Sequence, residues 1–249
     1  MPTSVEDTNL NTAAVIPAAG RGVRLGPGAP KALRTLNGVP ILVHAVRALA
    51  RSRAVTLIVV VAPPDGVAEV RSLLDTHGLP TAADVRVVAG GDTRQESVRL
   101  GLAAVPEDVE TVLVHDAARP LVPVETVDAV VAAVRAGSPA VVPVLPLADT
   151  VKQVEPREDG PEPVVGTPER SLLRAVQTPQ GFRRDVLAAA HEKVAARGEG
   201  ATDDAGMVES IGVQVVAVPG HEEAFKVTRP LDLVLAEAVL ARRRANDGY

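Results

Sequence analysis

The sequence predicts an α/β protein with a doubly wound, mostly parallel sheet. Short Val-rich segments recur along the chain, helix-like segments lie between them, and aromatic residues are almost missing. Hydrophobic residues make up 46% of the 249 residues but aromatic residues only 1%, so the core must be built from aliphatic side chains. Parallel strands that are buried on both faces have this composition. Their alternation with helices is typical of doubly wound sheets.

Six segments have the length and the nearly uniform apolar character of a buried strand. They are Ala13–Pro17, Thr56–Ala62, Val85–Ala89, Thr111–His115, Ala140–Val144 and Val213–Val218. Four segments are predicted as helices, namely Pro40–Arg51, Thr93–Val105, Pro123–Ala136 and Pro230–Arg244. The second of these opens with Thr93 and Glu96, which have the spacing of a capping box. The third has proline near its start and Gly137 just past its end, as helices prefer.

The predicted domain organisation is a flexible tail over residues 1–11 followed by a single domain over residues 12–249. Residues 146–179 break the strand–helix rhythm, because they are rich in proline, glutamate and glycine and contain only short β-like pieces such as Thr150–Val154. A structureless stretch of this length is unusual inside a compact domain. We therefore interpret it as an inserted arm used for dimerisation, although the composition alone fits a disordered insertion equally well.

Charge and composition exclude several classes of function. The net charge of −5 argues against sequence-independent nucleic-acid binding, which requires a basic surface. The absence of cysteine excludes disulfides, thiol catalysis and cysteine-ligated zinc, and it fits a reducing cytoplasm. The polar first eleven residues do not resemble a secretory signal, and no apolar run reaches the length of a membrane span. The sequence therefore predicts a cytoplasmic protein that binds neither nucleic acid nor membrane.

The first predicted strand runs into a loop of small residues that begins Ala18-Ala19-Gly20. Such a loop lets backbone N–H groups approach a phosphate closely. The Walker pattern is absent, and the dinucleotide pattern fails because Leu25 stands where its last glycine belongs, which disfavours a nicotinamide-dependent oxidoreductase. Arg24 and Lys31 place two cations near the loop, as a triphosphate requires. Taken alone, the segment also fits an ordinary glycine-rich turn with solvated cations.

A second cluster, Gly90 to Val98, follows the third predicted strand. Gly90 and Gly91 can press their backbone against a planar base, and Asp92, Arg94 and Ser97 can supply donors and acceptors to a base or ribose. The same segment also fits a strand-to-helix turn that is capped by a threonine. Both roles are compatible.

A third cluster surrounds Asp116, which stands where an apolar strand ends. Ligands bind at this edge of open α/β sheets, and a carboxylate there is a natural Mg²⁺ ligand. Arg119 can pair with Asp116 or hold a phosphate, whereas a histidine at the position of His115 is more often structural. Further on, Lys226 and Thr228 alternate on one face of a β-like segment that follows two glutamates.

Taken together and in order, these motifs resemble the 2-C-methyl-D-erythritol 4-phosphate cytidylyltransferase family of the non-mevalonate isoprenoid pathway. The matching blocks are Pro17-Ala18-Ala19-Gly20 with Arg24 and Pro30-Lys31, Gly91-Asp92-x-Arg94-x-x-Ser97-Val98, His115-Asp116-Ala117-Ala118-Arg119-Pro120, Thr178-Pro179-Gln180, Thr202-Asp203-Asp204-Ala205 and Lys226-Val227-Thr228-Arg229-Pro230. They run from Ala13 to the final helix. The resemblance implies a Rossmann-like nucleotidyltransferase fold of type A with a protruding β-arm, CTP as substrate, a divalent cation such as Mg²⁺, and a homodimer formed through the arm.

The resemblance also implies a role for each matched residue. Arg24, Lys31 and Lys226 would act in catalysis at the phosphates, and Asp116 would hold the metal. The nucleotide would contact Pro17, Ala18, Ala19, Gly20, Gly91, Asp92, Ser97 and Ala117. The polyol phosphate would contact Arg119, Thr150, Arg170, Thr202 and Thr228, of which Thr150 and Arg170 would come from the arm of a partner subunit.

Two alternatives remain open at the level of sequence. A cytidylyltransferase that acts on ribitol 5-phosphate would share the CTP half of the site. A non-catalytic nucleotide-binding protein of the same fold is disfavoured because Arg24, Lys31, Asp116 and Lys226 are all retained.

Overall fold

The computed structural model of the chain describes residues 11–20, 31–79, 83–197 and 203–246. The strands are β1 Thr12–Pro17, β2 Thr35–Leu36, β3 Val39–Pro40, β4 Val55–Ala62, β5 Asp84–Ala89, β6 Thr111–Val114, β7 Ala140–Pro146, β8 Gln153–Val154, β9 Val164–Gly166, β10 Arg174–Val176, β11 Gln180–Arg183 and β12 Val215–Pro219. The helices are α1 Ile41–Ala50, α2 Val67–Thr76, α3 Arg94–Ala103, α4 Val124–Arg135, α5 Arg184–Arg197, α6 Asp204–Ser210 and α7 Pro230–Asn246.

The main sheet has eight strands, and its path runs β10-β7-β11-β6-β1-β4-β5, with β12 paired to β7. The pairs of β1 with β4, β1 with β6, β4 with β5 and β7 with β12 are parallel. Only β10 and β11 run the other way, and both lie beside β7. The prediction of a doubly wound, mostly parallel sheet is therefore confirmed, and all the predicted strands and helices are present to within two residues at either end.

The sheet is covered on both faces, which explains why its strands are uniformly apolar. Helices α1, α2 and α4 pack on one face, and α3, α5 and α6 pack on the other. Alternate residues of β1 enter the two cores: Ala14 and Ile16 point to the first, and Ala13 and Val15 point to the second. Side chains of successive strand residues point to opposite faces, so both positions must be apolar when both faces are buried.

The start of α3 shows half of the predicted capping box. The Oγ1 atom of Thr93 accepts a hydrogen bond of 3.0 Å from the amide of Glu96. The carboxylate of Glu96 accepts from the amide of Asp92, at 3.0 Å, and not from that of Thr93. In a capping box the carboxylate would accept from the amide of the cap residue, Thr93, so this part of the prediction was wrong. The carboxylate instead stabilises the loop that precedes the cap.

The segment predicted as an arm contains a short hairpin outside the main sheet. Strand β7 extends to Pro146, and β10 returns beside it, with Arg174 opposite Pro146. Between them β8 and β9 pair with each other in a separate two-stranded antiparallel sheet. The side chains of Val164, Val165 and Leu172 in this segment are exposed. The participation of the segment in a dimer stays a prediction.

The carboxyl ends of the central strands bring three loops together at one edge of the sheet. The amide of Ala18 donates to the carbonyl of Val61 over 2.8 Å, and the amide of Gly90 donates to that of Ala62 over 2.7 Å. The amide of His115 donates to the carbonyl of Val15 over 2.9 Å. These bonds continue the strand ladders into the loops and fix the loops relative to one another.

Candidate active site

A cleft of about 260 Å³ lies at this edge of the sheet. Its lining consists of Pro17, Ala18, Ala19, Gly20, Ala32, Gly91, Asp92, Thr93, Arg94, Ser97, Asp116, Ala117, Ala118 and Lys226. Every residue predicted to contact the nucleotide is in this lining, together with Asp116 and Lys226. Segments that are distant in the sequence thus form one concave surface that contains both small and charged residues.

Glycine is required where the two glycine-containing loops meet. A Cβ atom on Gly90 would lie 2.8 Å from Oγ of Ser97 and 3.0 Å from Cβ of Ala19. The Ser97 hydroxyl in turn accepts a hydrogen bond of 3.3 Å from the amide of Gly91. The absence of a side chain at position 90 therefore lets the loops pack closely.

The Asp116 carboxylate lies between two cations. Its Oδ2 atom is 2.7 Å from Nζ of Lys226, and its Oδ1 atom is 3.3 Å from Nε of Arg94. Burial acts to raise the pKa of Asp116, but the charges of Arg94 and Lys226 outweigh burial and hold this pKa well below its ordinary value. Asp116 is therefore ionised at neutral pH, as a metal-binding carboxylate must be.

Arg94 also pairs with a second carboxylate, which the sequence did not reveal. Its Nη1 atom lies 2.8 Å from Oδ2 of Asp204, whose other oxygen accepts from Nε2 of His191 at 3.1 Å. Burial acts to lower the pKa of Arg94, but Asp204 first and Asp116 second raise this pKa above its ordinary value. Arg94 was expected to serve a base or ribose, and the structure gives its guanidinium two carboxylate partners.

His115 and Thr178 hold the backbone of Asp116 in place from behind. The amide of Asp116 donates to Oγ1 of Thr178 over 3.0 Å, and this hydroxyl contacts Nδ1 of His115 at 3.0 Å. The Nε2 atom of His115 lies 3.0 Å from the carbonyl of Arg119, so Nε2 carries the proton. Burial lowers the pKa of His115 to about 4. His115 is thus a neutral structural residue.

The segment that carries Lys226 is an irregular loop, so the predicted β-like alternation was wrong. It follows a 3-10 turn over Glu222–Ala224 and is joined to the Asp116 loop by the bond from the amide of Val227 to the carbonyl of Ala118, at 2.8 Å. Thr228 does not share the environment of Lys226. Its hydroxyl donates over 2.9 Å to Asp232 in the first turn of α7.

Glu223 pairs with arginines of α7 and is not part of the cleft lining. Its carboxylate contacts the guanidinium groups of Arg242 and Arg243, including a bond of 2.8 Å from Nε of Arg243. Burial acts to raise the pKa of Glu223, but the hydrogen bonds from Arg243 and Arg242 outweigh it and lower this pKa. The interaction ties the loop before Lys226 to the end of the last helix.

Several predicted acceptor-binding residues do not line the cleft. The guanidinium of Arg119 donates to the carbonyls of Ala224 and Val176, at 2.7 and 3.2 Å. Thr150 is exposed, and exposed Arg170 donates to the carbonyl of Ala148 over 2.5 Å.

Three other predicted positions are only partly covered by the structure. Arg24 and Thr202 lie outside the described residues. Lys31 is the first residue of a 3-10 turn over Lys31–Leu33, and the second residue of this turn, Ala32, lines the cleft. The side chain of Lys31 is outside the described part of the chain.

The donors in the cleft suit a hard divalent cation that is shared with a phosphorylated ligand. Asp116 and Asp92 contribute carboxylates, and within the described ranges no group of three or more His, Cys, Asp or Glu side chains could hold a metal ion by itself. Mg²⁺ is typically held by one or two carboxylates, with phosphates and water completing its shell. No helix in the described part of the chain is both long and apolar enough to cross a bilayer.

Comparison with known proteins identifies the family. Residues 12–242 match the family model for 2-C-methyl-D-erythritol 4-phosphate cytidylyltransferase, IspD. The enzyme of that name from Streptomyces avermitilis is 74% identical over 97% of this chain and 96% of its own length. The crystal structure of the Thermus thermophilus enzyme of that name is 36% identical, with a TM-score of 0.72 over 91% of this chain and 97% of that one. The chain therefore belongs to the 2-C-methyl-D-erythritol 4-phosphate cytidylyltransferase family.

Proposed function

We propose that this chain transfers CMP from CTP to 2-C-methyl-D-erythritol 4-phosphate, giving 4-diphosphocytidyl-2-C-methyl-D-erythritol and pyrophosphate. The observation that carries the proposal is the cleft, in which Asp116 lies between Lys226 and Arg94 beside a surface of small residues. The acceptor is inferred from the relatives, because the name of the Streptomyces avermitilis enzyme includes 2-C-methyl-D-erythritol 4-phosphate. The chain is thus an enzyme of the nucleotidyltransferase class.

The chemistry needs positioning and charge neutralisation more than it needs a base. A phosphate oxygen of the acceptor attacks the α-phosphorus of CTP in line, a new P–O bond forms, and the bond to pyrophosphate breaks. The attacking oxygen is already an anion, so no proton has to be removed from it. Catalysis of such a step comes from fixing the two reactants and stabilising the charge of the transition state. A cleft that offers lysine, arginine and carboxylate side chains suits this task.

The nucleotide occupies the part of the cleft that is lined by small residues. Gly91, Asp92 and Ser97 contact the cytosine and ribose, and the loop of Pro17, Ala18, Ala19 and Gly20, with Ala117, lies along the rest of the nucleotide. The close packing at Gly90 supports this assignment, because it places Ser97 and Ala19, which both line the cleft, close to each other.

The charged residues of the cleft serve the phosphates. Lys226, together with Arg24 and Lys31, stabilises the pentacoordinate α-phosphate. Asp116 would hold Mg²⁺ or another divalent cation, which would supply positive charge to neutralise the phosphates. The position of Asp116 at the carboxyl edge of the sheet and its ionised state support this role.

The acceptor is held by Arg119, Thr150, Arg170, Thr202 and Thr228. Because Thr150 and Arg170 are exposed and outside the cleft of their own chain, we assign them to the cleft of a second subunit. Residues 146–179 would then form the arm of a homodimer. The exposed apolar side chains of Val164, Val165 and Leu172 support burial of this segment against another chain. A cytoplasmic location stays a prediction.

Pyrophosphate release tests the proposal. The enzyme, CTP and Mg²⁺ are mixed with either 2-C-methyl-D-erythritol 4-phosphate or ribitol 5-phosphate at equal concentration, with Asp116→Asn as the inactive control. We expect rapid release with the methylerythritol substrate alone. Faster release with ribitol 5-phosphate would identify ribitol 5-phosphate as the acceptor substrate of this enzyme. Absence of release with both acceptors, combined with retained CTP binding, would favour the non-catalytic alternative.

A further inference from the structure

Asp204 is a buried carboxylate that lies behind the cleft and not in its lining. Its side chain is 0% exposed, and both of its oxygens have partners. Oδ2 lies 2.8 Å from Nη1 of Arg94, and Oδ1 accepts from Nε2 of His191 at 3.1 Å. A buried ionised carboxylate persists only where it is paired and hydrogen-bonded. The pairing with Arg94 therefore connects the interior of the protein to the cleft.

The single guanidinium group of Arg94 forms ion pairs with two carboxylates. The contact of its Nη1 atom with Asp204 is 2.8 Å, whereas that of its Nε atom with Asp116 is 3.3 Å. The shorter contact is thus the one to Asp204, whose side chain is fully buried and does not line the cleft. Arg94 is also the first residue of α3, where the helix dipole disfavours a cation. Its position requires carboxylate partners, and Asp204 is the closer of the two.

The pairing of Arg94 with two carboxylates affects the oxygens of Asp116. Lys226 contacts Oδ2 at 2.7 Å and Arg94 contacts Oδ1 at 3.3 Å, so a cationic side chain approaches each oxygen. A divalent ion that binds Asp116 must compete with these contacts for the lone pairs. The longer contact, from Arg94, is the one that a metal displaces at lower cost.

We propose that Asp204 is a positioning residue that retains Arg94 on the buried side of the site and thereby keeps Oδ1 of Asp116 available to the metal. This inference rests on the proposed function, in which Asp116 is the metal ligand. Without the Asp204 charge, Asp116 would be the remaining carboxylate partner of Arg94 among the described residues. Arg94 would then bind Asp116 more tightly and compete with the divalent ion.

The alternative is that Asp204 merely stabilises the start of α6, of which it is the first residue. Both roles predict some loss of stability when the carboxylate is removed. They differ in the metal requirement, because a purely structural role gives no reason for a change in the concentration of Mg²⁺ that is needed. They also differ in whether removal of the Arg94 charge reverses the effect.

The experiment compares wild type, Asp204→Asn and the double variant Arg94→Gln/Asp204→Asn. The Mg²⁺ concentration for half-maximal pyrophosphate release is measured at saturating substrates. Mn²⁺ binding to the enzyme with saturating CTP and no acceptor is followed through water-proton relaxation, which requires no turnover. The two midpoints are the Mg²⁺ concentration for half-maximal pyrophosphate release and the Mn²⁺ concentration for half-maximal binding. For Asp204→Asn we expect both midpoints to rise roughly three- to tenfold, the range of a partly exposed charge pair. The kcat at saturating Mg²⁺ should stay within about twofold of the wild-type value. In the double variant the Mn²⁺ midpoint should return to the wild-type value or below it.

Asp203→Asn is the matched control, because it removes the same charge one position earlier. Asp203 caps α6 by accepting from the amide of Gly206 and pairs with Gln180, and asparagine is also a good cap. We expect wild-type midpoints for this control. Unchanged midpoints in Asp204→Asn, or a double variant that needs as much Mn²⁺ as Asp204→Asn, would overturn the inference.

Two further outcomes are decided by the same set of measurements. If Asp204→Asn does not fold, the double variant is compared with wild type directly, and weaker Mn²⁺ binding by the double variant overturns the inference. Failure of the proposed function is distinguishable, because it appears as absent pyrophosphate release in the wild type, whereas the Mn²⁺ comparison uses CTP alone.

Discussion

Asp116 and Lys226 form an ion pair of 2.7 Å although they lie in different halves of the chain. Asp116 follows β6, and Lys226 lies in the loop before α7. The bond from the amide of Val227 to the carbonyl of Ala118 joins these two segments directly beside the pair. The cation and the carboxylate of the cleft are therefore held as one unit by the backbone.

Replacement of Lys226 by methionine should impair catalysis far more than nucleotide binding. The substitution keeps the aliphatic stem and removes the charge that faces the phosphates. We expect kcat to fall roughly 100- to 1000-fold, as is typical when one preorganised electrostatic contact to a transition state is lost. Steady-state kinetics with varied CTP measures kcat and KM separately. Lys193→Met, at an exposed position of α5, is the control and should be near wild type. A kcat for Lys226→Met equal to that of the control would remove Lys226 from catalysis.

His115 should make the protein less stable as the pH falls below neutrality. Its pKa is lowered by burial to about 4, whereas an unfolded histidine has a pKa of about 6.5. Between these two values the unfolded state binds more protons than the folded state, so the free energy of unfolding decreases as the pH is lowered. The contribution of His115 to stability is therefore fully present above about pH 6.5 and is lost as the pH falls toward about 4. From this group alone we expect a loss of about 2 kcal/mol between pH 7 and pH 5.

Urea denaturation at pH 7 and pH 5, with EDTA present, measures this loss. His115→Gln is the comparison, because glutamine can donate to the carbonyl of Arg119 and does not titrate in this range. The variant should lose less stability than wild type over the same interval. Other histidines, including half-buried His44, contribute to both proteins alike. Equal losses in the two proteins would contradict the pKa of His115.

The strands could be predicted from the sequence because burial on both faces leaves a local signal. Every residue of a strand such as β4 must be apolar when helices cover both sides, and Thr56–Ala62 shows this without any knowledge of its neighbours. Strand β11 gave no such signal. It is short, begins with Gln180, and contains Gly181, whose added Cβ would lie 2.5 Å from Val130. Its place between β6 and β7 follows from tertiary packing.

The site could be predicted where its residues belong to loops that directly follow strands. The small residues after β1, the glycines after β5 and Asp116 after β6 meet because parallel strands end at the same edge of a sheet. The choice of partners for Arg94 could not be predicted in this way. It depends on Asp204, which the fold brings to Arg94 from a distant helix.

Gly90→Ala should disturb the nucleotide side of the cleft. The added Cβ would lie 2.8 Å from Oγ of Ser97 and 3.0 Å from Cβ of Ala19, so the Ser97 hydroxyl must rotate and the Ala19 loop must shift slightly. We expect a loss of about 1 to 3 kcal/mol of stability, as for other overpacked sites, and a higher KM for CTP. Thermal unfolding and CTP-dependent kinetics measure the two effects. Gly166→Ala, where the nearest atom would be 3.4 Å away, is the control. An unchanged KM for CTP in Gly90→Ala would show that the contact between the loops is not needed for nucleotide binding.

Glu223→Gln should weaken the loop that carries Lys226 without changing the metal requirement. Glu223 accepts hydrogen bonds from Arg242 and Arg243 and does not line the cleft. The neutral amide weakens these charge-assisted bonds, and we expect a loss of about 1 to 3 kcal/mol of stability. Because Lys226 lies three residues further on, kcat should fall moderately, by less than in Lys226→Met. The Mg²⁺ concentration for half-maximal activity should stay at the wild-type value, since the carboxylate pairs with α7 and not with the cleft. A marked increase in this Mg²⁺ concentration would instead make Glu223 a second acidic group at the metal.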